Sequence, residues 1–216
     1  MGGRAASGEL SSEKGWQVKA TVIAGWSLVF AGWLIGVCRD RAPVKEAIAN
    51  PWRCRLFGLT AATILLAVAL DKGRPRTRPP RRLSLALLPV FLGGVALYYW
   101  ARLSLGRQWS SEARIARHHV LVTTGAYSLV RHPIYLSKVL MALSSGWMLG
   151  NRLVLGLGFA LAAAGLYQAR VEEQMLRAHF PRCYAEYARR TGMLLPKPCW
   201  PLPRRPRLRR CPLSSA

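Results

Sequence analysis

Acidic residues are nearly missing from this chain. Nine Asp and Glu stand against 32 Lys and Arg in 216 residues, a formal net charge of +23. A soluble globular domain with so one-sided a charge repels itself, and it rarely also carries 51% hydrophobic residues and a mean hydropathy of +0.14. A continuous basic face is missing too. The basic residues fall between apolar runs, which excludes nucleic acid as the expected partner. No Cys-x-x-Cys occurs among Cys38, Cys54, Cys183, Cys199 and Cys211, so neither a disulfide framework nor a structural zinc site is expected. His179 and Cys183 stand one helical turn apart, but no second ligand pair accompanies them, and no metal is expected. Cys211 is followed by five residues, which excludes a prenylation box.

What the chain does have is a series of apolar runs with basic connections, the pattern of a small polytopic membrane protein. Residues 1–16 are small and polar, and disorder is expected there. Three spans are expected within 17–101, at residues 17–38, 56–70 and 83–101. The first run does not end in a small-x-small cleavage site, which favours a retained span over a cleaved signal. The second run is short and needs Trp52, Arg53 and Arg55 to extend it into the interface. Residues 71–82 (DKGRPRTRPPRR) read as a loop, and Tyr98, Tyr99 and Trp100 as interfacial anchors. Residues 102–198 form a second unit, with apolar segments at 134–150 and 153–169. Gly32/Gly36 and Gly146/Gly150 have the spacing of close helix contacts, although glycine is common in membrane helices anyway. Residues 199–216 are a basic, Pro-rich tail, either laid on anionic lipid or disordered.

The expected fold is therefore all-α, with about five transmembrane helices and a C-terminal helical hairpin. Five spans place 22 of the 32 basic residues on one side, which should be cytoplasmic. The six basic residues of 71–82 then lie on the other side, so a four-span version stays open. In both versions the 134–169 hairpin returns the chain to the face it left.

That return brings two polar clusters together. Arg131-His132-Pro133 reads as a loop ending at a helix start, since Pro suits the first turn and keeps its predecessor extended. Free N–H groups at that start, beside Arg131 and His132, suit an anion. Arg131 reads equally well as a lipid-interface residue. Glu172 and Glu173, two of the few acids, suit a cation. An anion site facing a cation site fits a zwitterion carrying a carboxylate, an ammonium and a sulfonium.

The stretch His119-Val-Leu-Val-Thr-Thr-Gly125-Ala-Tyr127-Ser-Leu-Val-Arg131-His132-Pro133-Ile-Tyr135 resembles the core of the isoprenylcysteine carboxyl methyltransferase family, in a wider group with the phospholipid methyltransferases. Glu172-Glu173-x-x-Leu176-x-x-x-Phe180-x-x-x-Tyr184-x-x-Tyr187, followed by Leu194-Leu195-Pro196, is similar to that family's C-terminal half. The resemblance covers roughly residues 105–198 and implies methyl transfer from S-adenosylmethionine to a lipophilic acceptor drawn from the bilayer. It implies that Glu112, His119, Val120, Leu121, Gly125, Tyr127, Arg131, His132 and Glu173 contact the cofactor and that Tyr135 lines its pocket. Members of the family carry an acceptor-binding arginine about four residues before the acid pair. Here Gln168 stands there, and Arg170 is the candidate in its place, with Arg131 beside it.

The resemblance points to carboxylate methylation first. Methylation of a phospholipid headgroup, a small thiol or an amine is the chemical alternative. A non-catalytic membrane subunit or a transporter is the rival of another class. A transporter would be expected to bury ionisable residues within its spans, whereas here they gather at one face.

Overall fold

A computed structural model describes residues 3–39, 44–47, 61–68, 81–106, 109, 114–116 and 120–197. Among these, α1 (Gly3–Arg39) is followed by β1 (Val44–Ala47), a helix α2 over 61–68, α3 (Arg81–Leu105) and β2 (Arg114–Ala116). A short 3-10 turn (Gly125–Ser128), α4 (Pro133–Met148), α5 (Arg152–His179) and α6 (Pro181–Arg190) complete the order.

Two expectations are corrected. Residues 3–16 are helical rather than disordered. Ala, Leu, Glu and Lys recur there without proline, and a helix already nucleated by the span extends at little cost. The fold is also not purely α-helical: β1 and β2 pair antiparallel, with Val44 opposite Ala116 and Ala47 opposite Arg114. Alternating patterns of three or four residues are too short to stand out from a loop in sequence.

Among the described residues, three helices are long and apolar enough to cross a membrane: Trp16–Arg39 of α1, Arg82–Leu105 of α3, and α5. The protein is thus an integral membrane protein. The 16 residues of α4 reach about 24 Å at ~1.5 Å per residue, against a hydrocarbon core of ~30 Å. The 28 residues of α5 reach about 42 Å and project beyond it.

Small residues set the contacts between helices. A Cβ at Gly25 would come 2.5 Å from the Phe91 ring, one at Gly32 3.1 Å from Tyr99 Oη, and one at Gly36 2.4 Å from Arg102 Nη2. Contacts that advance together along both helices mean that α1 and α3 run parallel. Ala61, Ile64 and Val68 of α2, spaced three and four apart, are buried in the same core as Trp26, Phe91, Tyr98 and Met141. Trp26 Nε1 donates to Ser145 Oγ at 3.1 Å, a buried bond from α1 to α4.

The hairpin turn is defined by Asn151, whose Oδ1 accepts from Leu153 N (3.0 Å) and Val154 N (3.2 Å) to cap α5. A Cβ at Gly146 would lie 2.7 Å from Leu155 Cα, so the two helix backbones nearly touch. Farther up, Gly165 faces Tyr135, with 3.6 Å between their side-chain positions. Both stand about 20 Å from the turn at ~1.5 Å per residue, and the hairpin is in register there.

Candidate active site at the open end of the hairpin

The loop ahead of α4 is shaped by Gly125. Its φ is +63°, a left-handed conformation that glycine adopts freely. A Cβ there would lie 2.2 Å from Ser104 Oγ, and the next amide, Ala126 N, donates to that oxygen at 3.2 Å. The 3-10 turn is thereby seated on the end of α3. Tyr187 Oη of α6 donates to Tyr127 O at 2.6 Å and holds the turn from the other side.

Past the loop, residues 130–132 run beside 192–193. Arg131 N donates to Gly192 O at 2.8 Å and His132 N to Met193 O at 3.1 Å. His132 is the N-cap residue of α4 and Pro133 opens the helix, as expected from the sequence. The segment after α6 therefore closes over the loop that starts α4.

At this junction the polar clusters meet. Arg131 Nε and Nη2 lie 2.7 and 2.6 Å from Glu173 Oε1, and Arg177 Nη2 donates to Glu173 Oε2 at 2.9 Å. Arg131 Nη1 donates to Ala188 O at 3.2 Å and also to Thr191 O. The guanidinium thus ties α5, α6 and the following segment together. Its side chain is 8% exposed and that of Glu173 3%, so the pair is buried.

Glu172 faces a different set of groups. Tyr135 Oη donates to Glu172 Oε1 at 2.5 Å, and His132 Nδ1 stands 3.5 Å from Oε2. The His132 and Tyr135 rings stack with centroids 5.7 Å apart. His132 Nε2 is 3.5 Å from Glu173 Oε1, too long for a good hydrogen bond. That nitrogen and Tyr184 Oη are buried without a hydrogen-bond partner among the described residues. Burial opposes charge on His132, but Glu172 and Glu173 outweigh it and raise the imidazole above its usual 6.5.

Of the site residues expected from sequence, Arg131, His132, Tyr135 and Glu173 are brought together, with Tyr127 and Gly125 in the adjoining turn. Leu121 packs on the cluster of Phe180, Tyr184 and Tyr187, and Val120 is half-buried at the start of the loop. Glu112 and His119 lie outside the described residues. Arg170 is exposed on α5. In the sequence Glu172 stands out only as half of an acid pair. Its distinct role follows from the helical turn of about 100° per residue, which aims neighbouring acids at different partners.

The architecture defines an integral membrane protein whose ionised cluster sits where a short helix and a long one meet at the open end of their hairpin. Residues 86–178 match the isoprenylcysteine carboxyl methyltransferase family. The protein-S-isoprenylcysteine O-methyltransferase B of Arabidopsis thaliana is 32% identical over 113 residues, 50% of this chain and 57% of that protein. The cobalt-zinc-cadmium resistance protein of Cupriavidus metallidurans is 38% identical over 120 residues, 55% of this chain and 50% of that protein. The chain spans about half the length of the curated relatives it matches. A solved eukaryotic intramembrane Ras methyltransferase shares the fold, with a TM-score of 0.52 at 24% identity over 69% of this chain and 54% of that one.

Proposed function

We propose that the protein transfers a methyl group from S-adenosylmethionine to a carboxylate on a lipophilic acceptor in the membrane, with an isoprenylcysteine as the first acceptor to test. The observation that carries this reading is the group of His132, Tyr135 and Glu172 at the open end of the hairpin. A buried imidazole nitrogen without a hydrogen-bond partner among the described residues stands there beside a carboxylate that is 24% exposed. These groups suit the cofactor: the His132 N–H can donate to its carboxylate, and Glu172 can receive its cationic part. Contacts from Gly125, Tyr127, Val120, Leu121, Glu112 and His119 belong to the same proposal.

Bound there, S-adenosylmethionine would supply an activated methyl: an acceptor oxygen forms the new C–O bond as the C–S bond breaks and its electron pair stays on sulfur. The chain's own task is then to position and to exclude water. Arg131 and Glu173 act as a buried clamp that fixes the loop against α5. Glu172, held by Tyr135, is left to meet the ligand. In this proposal Glu173 supports the site through Arg131 and His132 rather than by direct contact.

The parallel course of α1 and α3 supports five crossings, because the chain must return between them. It also supports a cytoplasmic site, on the side with most basic residues. Labelling of single cysteines at the exposed positions Ser128 and Ala178 in intact cells tests this: both should be protected from an impermeant reagent. Names of the relatives divide between isoprenylcysteine methylation and metal resistance. The acceptor is therefore best sought by screening with a labelled methyl donor. Calorimetric titration of the detergent-purified chain with S-adenosylmethionine tests the cofactor. Folded protein that gives no binding heat and transfers no label overturns the proposal.

A further inference from the structure

Arg102 is a cation with no acid paired to it among the described residues. It lies near the end of α3, where its guanidinium stacks 3.5 Å from the Trp109 ring centroid and Nη2 donates to Gly32 O at 3.3 Å. Its Nη1 is buried and has no hydrogen-bond partner among the described residues. Tyr98, one helical turn earlier on the same face, is 1% exposed, and its hydroxyl is likewise buried without a partner. Two donors that give up water and find no acceptor are costly to keep, and the cost is greater when one is charged. The fold makes room for them deliberately: at Gly36 a Cβ would sit 2.4 Å from Arg102 Nη2, and at Gly32 3.4 Å from the Tyr98 ring.

The place of these donors relative to the candidate site is set by the 3-10 turn. Ser104, two residues after Arg102, receives Ala126 N, so the end of α3 carries the Tyr127 turn. Burial raises the Tyr127 hydroxyl well above its ordinary range, the charge of Glu172 raises it further, and the charge of Arg102 lowers it. Tyr127 thus lies within the field of both groups.

We propose that Arg102 and Tyr98 receive the carboxylate of the methyl acceptor and present it to the site across Tyr127. A guanidinium pairs with a carboxylate through directed N–H donors, and a neighbouring phenol can supply another. The acceptor's charged end sits on Arg102 and its apolar part in lipid. This inference rests on the proposed function, and it gives to α3 the task that a basic residue at position 168 would otherwise perform. A lipid phosphate has the same oxyanion chemistry and is the competing source.

The test uses the full chain in neutral-lipid nanodiscs, with N-acetyl-S-farnesylcysteine as acceptor and its carboxamide as uncharged counterpart. Arg102→Gln should raise the acceptor KM about 10- to 150-fold, the loss of one charge-assisted bond, and leave S-adenosylmethionine affinity unchanged. Tyr98→Phe removes an oxygen that has no partner, so it tests the site without disturbing the fold; it should raise KM severalfold with kcat largely kept. In direct binding, the preference for carboxylate over carboxamide should vanish in Arg102→Gln. An unchanged KM in Tyr98→Phe and Arg102→Gln, or equal loss of both analogues, overturns the inference. So does a result in which phosphatidylglycerol protects the wild type but not Arg102→Gln while KM stays the same. The carboxylate-over-carboxamide comparison needs no turnover. If the wild type binds the carboxylate through Arg102 yet transfers no methyl group, the proposed function fails while the assignment of this site stands.

Discussion

Arg131 and Glu173, 42 positions apart, are joined through Arg131 Nε and Nη2 to a single carboxylate oxygen, Glu173 Oε1. The bond links the residue before α4's N-cap to the last part of α5. It converts the hairpin's open end into a fixed frame. Because both partners are buried, removing one leaves the other as a costly charge. Arg131→Ala should destabilise the protein by about 3–5 kcal/mol, the scale for breaking a buried pair. Thermal unfolding in detergent would read this as a lower midpoint. Arg177→Ala, whose partner is the same acid but whose side chain is 59% exposed, should cost far less. Equal losses in the two variants would mean that the clamp does not depend on burial.

Protonation of His132 gives a second handle. Groups facing the ring are Glu172 and Glu173 from α5, Arg131 from the loop and Tyr135 from α4. The folded imidazole has a raised pKa, so it binds its proton more tightly than the unfolded chain does. Its stabilising contribution is therefore fully present below the unfolded value near 6.5 and is lost as pH rises through the higher folded value. Unfolding midpoints should fall across that window in the wild type. They should vary less in His132→Gln. A wild-type midpoint that rises over the same window would show that the ring is neutral when folded.

These residues also show how far the sequence could be read. The His132-Pro133 helix start and the meeting of Arg131 with Glu173 follow from local rules and a hairpin's return. The saturation of Arg131 by Ala188 and Thr191 carbonyls does not, because backbone acceptors leave no residue-type signal. Arg102 was hidden for a related reason. Its counterpart glycines, Gly32 and Gly36, are 66 or more positions upstream, and a basic residue at a span end reads first as a lipid anchor. The two short strands and the helical start at Gly3 were missed because neither carries an amphipathic period.

Gly125→Ala should disturb the turn that carries Tyr127. The substitution meets two obstacles at once: a φ of +63° and a Cβ 2.2 Å from Ser104 Oγ. An Ala forced into that region costs about 1 kcal/mol or more before the clash is counted. Proteolysis within 120–130 should quicken, and S-adenosylmethionine binding should weaken more than global stability does. A second change, Ser104→Ala, removes the hydroxyl oxygen but not the unfavourable φ, so it should recover only part of the loss.

Gly146→Val tests whether the distant turn sets the geometry of the site. A Cβ at 146 would lie 2.7 Å from Leu155 Cα and 2.7 Å from Leu155 N, backbone atoms that no rotamer change can move. The helices must therefore separate or slide near Asn151. At the other end of the hairpin, Tyr135 Oη reaches Glu172 Oε1 at 2.5 Å and the Arg131 clamp closes on Glu173, contacts that tolerate little displacement. Overpacking typically costs about 1–3 kcal/mol, so the variant should still fold. Cofactor affinity should nevertheless fall, because a shift of even ~1 Å in positioned groups is enough to spoil the arrangement. The comparison that decides it is Gly156→Val, where a Cβ meets nothing within 4 Å on the same helix pair. That variant should keep both stability and binding. If Gly146→Val binds S-adenosylmethionine as tightly as Gly156→Val, the open end holds its shape independently of the turn, and the clamp alone sets the site.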